Sequence, residues 1–324
     1  MIESVSFFYD WEVALQIFIQ SLLGSFGTTV CSVVTMFGEE MIMIVILGYI
    51  YWCLDKEYGK FIGVNVIIGI VLNPLLKNIA LRRRPYFDHP EIKCLKPVDS
   101  SADIYDIAAQ GYSFPSGHSL NSAIVYGSLP AWQPEGGRDK GWQKALMVIA
   151  IVMPLLVGVS RVALGVHYAT DVLAGWAGGL VIVLGMGCLQ KKVKKKWLLH
   201  LIIFLISLVG FFYCKTTDYY TGVGMMGGFF LAYHFEEKYV KFESTRNVWI
   251  SILRVAVGGA LYFGLNTALK LPFSKEFLDS ATLAAYIVRS LRYAVVMFLL
   301  MGVYPLAFGK LFKKKVPTES EKNS

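Results

Sequence analysis

Residues 61–85 read FIGVNVIIGIVLNPLLKNIALRRRP, and this stretch decides the fold. Up to Leu76 only Asn65 and Asn73 interrupt an apolar run. Lys77 and three successive arginines, Arg82 to Arg84, then arrive just ahead of Pro85. Crossing the hydrocarbon of a bilayer takes about 20 mostly apolar residues. An ionisable residue close to the end of such a run is costly unless it reaches the interface or is used. The stretch therefore reads as a membrane span that delivers cations to one membrane face.

The rest of the chain repeats the first half of that pattern. Further apolar segments cover approximately 40–54, 119–132, 145–159, 168–189, 197–214, 219–235, 249–271 and 283–308. The chain has 324 residues and is 55% hydrophobic, with a mean hydropathy of +0.53. That composition excludes an ordinary soluble domain and points to a multi-pass membrane protein. The net charge of +8 does not mark a nucleic-acid binder. Its lysines cluster beside apolar runs, at Lys191–Lys196 and Lys313–Lys315, as cytoplasmic flanks of spanning helices do. The five cysteines form no CxxC pair, and four lie in apolar segments, so buried thiols are expected rather than a metal or disulfide framework. The acidic N-terminus, with Glu3 and Asp10, does not read as a cleavable signal peptide.

Loops rich in Lys and Arg should be cytoplasmic. Arg138, Lys140 and Lys144, the Lys191–Lys196 run, Lys238 with Lys241 and Arg246, and the C-terminal lysines mark four of them. Alternating the helices between these marks puts Lys77, Pro115–His118 and Ser160–Asp171 together on the other face. The basic loop 82–114 is then an exception to the charge rule, and anion binding would explain it. Segment 11–34 is apolar but carries Glu12, Gln16 and Gln20, which favours a helix lying in the interface over a true span.

Three clusters carry chemistry. Lys77 and Arg84 lie seven residues apart, the spacing of two helical turns, so a continued helix would put both on one face. Pro85 would end that helix and hold the chain extended. Read alone, Lys77 and Arg82–Arg84 are also what an interfacial anchor looks like. Phe114-Pro115-Ser116-Gly117-His118 has the composition of a helix start. Gly117 lets backbone approach a ligand, and free N–H groups there suit phosphate oxygens. His167 and Asp171 stand at i and i+4, so the carboxylate can fix the imidazole tautomer and leave the other nitrogen to attack. Arg161, expected in the turn after the preceding span, can fork onto phosphate oxygens. Phosphoryl transfer needs cations for the equatorial oxygens, a nucleophile and an acid for the leaving oxygen, and the three clusters supply each.

The pattern resembles the type 2 phosphatidic acid phosphatase family, whose signature is K-x6-RP, PSGH and SR-x5-H-x3-D. Lys77 with Arg84-Pro85, Pro115–His118, and Ser160-Arg161 with His167 and Asp171 match it without a departure. The resemblance covers roughly 39–189. It implies that His167 is the nucleophile, forming a phosphohistidine, with Asp171 orienting it and His118 serving as acid and then base. It implies that Lys77, Arg84, Arg161, Ser116 and Gly117 hold the phosphoryl group, with no metal and no other cofactor. Asp99, Asp103 and Asp106 lie between the clusters without convincing ligand spacing.

The expected fold is an all-α integral membrane bundle. Residues 1–36 would form an N-terminal interfacial or membrane helix and 37–190 a catalytic core. Residues 191–315 would be accessory transmembrane helices, and 316–324 a disordered tail. With the N-terminal helix the core would have six helices. The expected function is metal-independent hydrolysis of a lipid phosphate or diphosphate at the outer face of the plasma membrane, with the bilayer and a lipid phosphate as partners. A lipid phosphotransferase using the same intermediate is the alternative enzyme, and a lipid-phosphate carrier the non-enzymatic one. A soluble vanadium haloperoxidase, which shares the anion cage, is disfavoured by the spans. Of the remaining residues, Gln110 and Tyr112 are candidates for lining the site entrance. His89 reads as a solvated loop residue, His200 and His234 as packing, and Glu39-Glu40 as helix N-terminal charge. Gly222, Gly224, Gly227 and Gly228 read as positions of close helix packing.

Overall fold

A computed structural model describes residues 4–132 and 139–311 of the chain. Arg138, Lys313–Lys315 and the expected tail 316–324 lie outside the described residues. The regular elements of the described residues are all helices, and the one β contact among them is an isolated bridge between Val5 and Arg82.

The long helices are α1 (Asp10–Leu22), α2 (Ser25–Met36), α3 (Glu40–Tyr49) and α4 (Lys56–Ala80), with α3 continuing as a π turn to Leu54. Two short helices, α5 (Pro85–Asp88) and α6 (Ile107–Gln110), interrupt the following loop. Then come α7 (Gly117–Ser128), α8 (Lys140–Ala163), α9 (Ala169–Lys192), α10 (Lys196–Ser207) and α11 (Thr217–Phe235). Helix α12 (Val248–Ala268), the short α13 (Lys275–Leu278), α14 (Leu283–Phe298) and a turn α15 (Phe308–Leu311) complete the described residues.

The starts of these helices are written in the sequence. Asp55, Ser116, Asp139, Asn247 and Thr282 each precede a helix and accept a backbone N–H from its first turn, satisfying donors that have no partner inside the helix. Five helices are long and apolar enough to cross a membrane. α1 and α2 pass the same test only as a pair, bent by 117° at the Leu23-Gly24 break. The protein is an all-α integral membrane protein. Outward-facing side chains agree: Val181 and Leu184 on α9 are 70% and 65% exposed. A helix that is apolar on its open face as well as its packed one needs lipid rather than water outside.

α7 sits inside the bundle, packed against α4, α8 and α9. Leu120, Ile124 and Val125 on α7 and Ile62 and Val64 on α4 are fully buried in one apolar core. α11 joins the C-terminal helices to that core, packing on α4 on one side and α14 on the other. At Gly224 and Gly228 a Cβ would come within 2.1 and 2.2 Å of the Ser290 and Ala294 carbonyl oxygens, so α11 and α14 touch at their backbones there. Gly224 and Gly228 thus serve the close packing expected of them.

The C-terminal ends of α4 and α8 and the N-terminal ends of α7 and α9 meet at one end of the bundle. Lys191 and Lys192 close α9, 24 residues or roughly 36 Å away.

Candidate active site

The first cluster is built differently from its spacing. α4 stops at Ala80, and Leu81 takes the left-handed conformation with φ 50°. Arg84 is therefore not on Lys77's helix, and the two-turn argument fails. The chain runs extended from Arg82 to Arg84, pinned by Val5 N–H to Leu81 O (2.8 Å) and Arg83 N–H to Val5 O (3.0 Å). Side chains of extended backbone alternate, so Arg82 and Arg84 turn inward and Arg83 outward to Asp88 at 3.0 Å. Nor does Pro85 end a helix. It begins one, as the first residue of α5.

Arg84 is buried. Its Nε donates to the carbonyls of Gln110 (2.9 Å) and Gly111 (3.1 Å), and one Nη to Val166 O (2.9 Å). The same Nη stands 3.5 Å from His167 Nε2. Arg82, fully buried, is no interfacial anchor. It donates to Asp171 Oδ1 (2.7 Å), Glu12 Oε2 (2.8 Å), Thr170 Oγ1 (2.8 Å) and Phe7 O (2.8 Å). Its guanidinium lies over the rings of Phe7 and Tyr168.

The second cluster opens α7. Ser116 caps the helix and accepts from Ser119 Oγ at 2.9 Å. Asn73, one turn before Lys77 on α4, donates to Pro115 O at 3.1 Å. Ser116 N–H donates to Asp171 O at 3.0 Å, which ties this loop to the third cluster. His118 stands in the first turn of α7. Arg161, His167, Lys77 and Arg84 are all near enough to act on its charge.

In the third cluster Arg161 is in the last turn of α8 rather than in the turn beyond it. His167 lies in the connection, one residue before the cap of α9, so only Asp171 is helical. The pair still meets, with His167 Nδ1 3.4 Å from Asp171 Oδ2. Ser113 Oγ donates to Asp171 Oδ2 and stands 3.4 Å from the same Nδ1. Tyr168 N–H donates to Asp171 Oδ2 at 2.8 Å. The carboxylate can only accept there and the guanidinium can only donate. The fitting tautomer puts the proton on Nδ1, toward Asp171, and the lone pair on Nε2, toward Arg84. Burial, then Arg84, Arg161 and Lys77, push the His167 pKa well below its ordinary value, which favours the neutral ring.

Two of the cations have unused donors. Arg161 gives one Nη to Thr35 Oγ1 at 2.9 Å, while its buried Nε has no hydrogen-bond partner among the described residues. Lys77 Nζ makes no hydrogen bond or ion pair with a described residue, yet its charge reaches both histidines. Arg84 thus stands at His167 Nε2, and Lys77 and Arg161, which act on the same ring, have donor capacity left.

Several positioning residues carried no signal that spacing could read: Glu12, Gln16, Thr35, Arg82, Ser113 and Thr170. Glu12 Oε1 accepts from Thr170 N–H and Oγ1 at 2.8 and 2.6 Å. Gln16 Nε2 donates to His167 O at 3.0 Å and Val162 O at 2.9 Å. Gln110 is buried rather than lining an entrance. Its side chain holds Val98 N–H, Asp99 N–H and Asp99 O, stapling the loop between α5 and α6. Tyr112 is buried too. Asp99, Asp103 and Asp106 accept from Ser101, Tyr105 and Ala108 N–H groups, the local turns such residues favour. His89 packs on Phe8, where a solvated side chain was expected. Glu39 pairs with Lys96 at 2.7 Å, and His200 with His234 at 3.1 Å.

The fold is that of an integral membrane protein, with the cations Arg84, Arg161 and Lys77 gathered around His167. Residues 58–195 match the PAP2 superfamily, and 220–316 match the PAP2 superfamily phosphatase, transmembrane extension. The chain belongs to the PAP2 superfamily. It is 41% identical over 88 residues to phosphatidylglycerophosphatase B of Bacillus subtilis (strain 168), covering 26% of this chain and 42% of that protein. It is 30% identical over 126 residues to undecaprenyl-diphosphatase of Sulfolobus acidocaldarius, covering 38% and 51%. Decaprenylphosphoryl-5-phosphoribose phosphatase of Mycobacterium tuberculosis (strain ATCC 25618 / H37Rv) is 27% identical over 195 residues, covering 57% and 96%. The chain thus spans about half the length of the first two relatives. No solved structure gives a significant match.

Proposed function

We propose that this protein is a lipid phosphatase that releases phosphate from a lipid phosphate or diphosphate ester through a phosphohistidine, at the outer face of the plasma membrane. The observation that carries the reading is the neutral His167 Nε2 facing Arg84, with Lys77 and Arg161 acting on the same ring. Residues 37–190 form the catalytic core in this reading and 191–315 the accessory helices. Related proteins named as phosphatases and diphosphatases support the same class.

The steps follow from the residues. Lys77, Arg84, Arg161 and the N–H group of Gly117, beside the Ser116 cap, hold the phosphoryl oxygens and offset their charge. His167 Nε2 attacks phosphorus, and the P–N bond forms as the bond to the leaving oxygen breaks. The bound phosphate's negative charge offsets the cations that disfavour a proton on His118, so His118 takes one up and gives it to that oxygen. The His167 ring becomes positive in the intermediate, and Asp171 stabilises it through Nδ1–H. Neutral His118 then takes a proton from water, whose oxygen bonds phosphorus as the P–N bond breaks. Inorganic phosphate leaves and His167 is neutral again.

Because the cage itself supplies positive charge, purified protein should release phosphate from phosphatidate, phosphatidylglycerophosphate or a polyprenyl diphosphate in EDTA. His167→Ala should lower kcat by about 10⁴-fold or more, since nucleophile and base act as a unit. Denatured wild-type enzyme quenched during turnover should carry acid-labile phosphate, absent from the variant. Normal turnover by a folded His167→Ala protein would sink the assignment.

A further inference from the structure

Helix α2 carries none of the three clusters, yet it holds one of the cations. Arg161 Nη1 donates to Thr35 Oγ1 at 2.9 Å. The buried Arg161 Nε has no hydrogen-bond partner among the described residues, and Nη2 makes no hydrogen bond to a described residue either. A guanidinium is flat, and its five N–H bonds point in fixed directions. Nη1 lies on the side of Cδ. The N–H bonds of Nε and Nη2 point the same way and form one edge, which matches two oxygens of a phosphate. Thr35 occupies Nη1 and leaves that edge whole. Arg84 is the reverse case. Its Nε is given to the Gln110 and Gly111 carbonyls and Nη1 to Val166 O, so the corresponding edge is already taken.

Thr35 is itself held in place. It is fully buried in the last turn of α2, and the chain that follows is seated on the site. Gly38 N–H donates to Thr35 O at 2.9 Å, and Phe37 O accepts from Tyr126 OH of α7 at 3.0 Å. A Cβ at Gly38 would come within 2.6 Å of Val157 Cγ1 on α8 and 3.1 Å of His118 Cβ on α7. The linker between α2 and α3 therefore lies directly on the two helices that carry Arg161 and His118. Glu39, next in the chain, pairs with Lys96 at 2.7 Å, and Lys96 Nζ also donates to Ser32 O of α2 at 3.2 Å. A valine would fill the space of Thr35. What threonine adds is an acceptor for a buried guanidinium N–H, which is costly to leave unpaired.

Resting on the phosphatase reading, we propose that Thr35 is a positioning residue for catalysis. It takes Arg161 Nη1 so that the guanidinium presents Nε and Nη2 together to two oxygens of the phosphoryl group.

The test measures the dissociation constant of orthovanadate by calorimetry, with kcat and KM for phosphatidate and a soluble phosphate monoester, in detergent micelles. Thr35→Val should weaken vanadate binding about tenfold and lower kcat/KM by about the same factor on both substrates, as expected for a lost hydrogen bond to a charged group. Thr35→Ser keeps the acceptor and should stay within about twofold of wild type. Arg161→Lys keeps the charge without the fork and should weaken vanadate binding about tenfold or more. Adding Thr35→Val to Arg161→Lys should cost less than about twofold further, because the two residues act as one unit. A packing role alone would lower the unfolding midpoint and leave the two substitutions additive. Unchanged vanadate affinity in Thr35→Val, an equal loss in Thr35→Ser, or additivity with Arg161→Lys overturns the positioning role while leaving the phosphatase reading intact. If the valine variant does not fold, Thr35→Ala is read in the same way, and wild-type affinity in Arg161→Lys overturns the fork by itself. A wild type that binds no vanadate and releases phosphate from neither substrate overturns the phosphatase reading and this role with it.

Discussion

Arg84 approaches His167 Nε2 to 3.5 Å while Asp171 stands at Nδ1, and that asymmetry makes a pH prediction. Burial and three cations lower the His167 pKa, so its reactive neutral form persists below the ordinary histidine value of 6.5. The acid limb of kcat/KM, which reports the free enzyme, should therefore lie below pH 6.5 in the wild type. Arg84→Gln removes one of the charges that disfavour protonation, so the limb should move toward higher pH in that variant, with activity reduced about 10²-fold or more. Full pH profiles of both proteins on one substrate check this; a limb that stays put or moves toward lower pH contradicts it. The signature residues were legible in the sequence because fixed spacings around Pro85, Gly117 and His167 announce them. Arg82 was not. It sits among three consecutive arginines, and only the extended backbone after Leu81 decides that Arg82 and Arg84 go in while Arg83 goes out. Ser113 was equally silent, since a lone serine before a proline-containing turn is common and its bond to Asp171 spans 58 residues.

Among the elements, α1 departs furthest from its sequence reading. Glu12, Gln16 and Gln20 recur at i, i+4 and i+8, a polar stripe that looks the same whether it faces lipid headgroups or protein. Here it faces the site. Glu12 and Gln16 are buried against the Arg82 and His167 segments, and Gln20 bonds the outer loop at Lys93. The bend between α1 and α2 permits this, and no periodicity encodes a 117° turn. Most other helix bounds were readable to within a few residues, because caps and apolar runs coincide. α1 should therefore act as a structural clamp. Glu12→Gln keeps the shape but removes the charge that neutralises buried Arg82, leaving Asp171 as its remaining carboxylate. Breaking a buried pair in this way costs about 3–5 kcal/mol. The unfolding midpoint in detergent should fall by roughly 5 °C or more, and kcat should fall with it as Arg82 shifts Asp171. An unchanged midpoint would mean that α1 merely rests on the surface.

Across the whole molecule, the two ends of the bundle differ in how they treat charge. At the site end, Arg82, Arg84 and Arg161 are buried. At the other end, Lys191, Lys192, Lys194 and Lys195 are solvated flanks, while Lys60 is buried against Glu236 with Lys56 beside it. Counting loop charges in the sequence mixes the two kinds, which is why the basic loop 82–114 looked like an exception to the orientation rule. Only solvated, unpaired lysines and arginines weigh in that rule. Removing the buried Arg82 and Arg84, together with Lys96 paired to Glu39, leaves the site end with few free cations. The orientation that puts the Lys191–Lys196 end in the cytoplasm and the cage outside then needs no exception. Single cysteines on a background free of the five native ones decide it. Ser101→Cys in the exposed outer loop should react with a membrane-impermeant maleimide on intact cells, whereas Lys194→Cys should react only after permeabilisation. The reverse pattern would put the cage in the cytoplasm, and the lipid phosphate would then have to reach it from the inner leaflet.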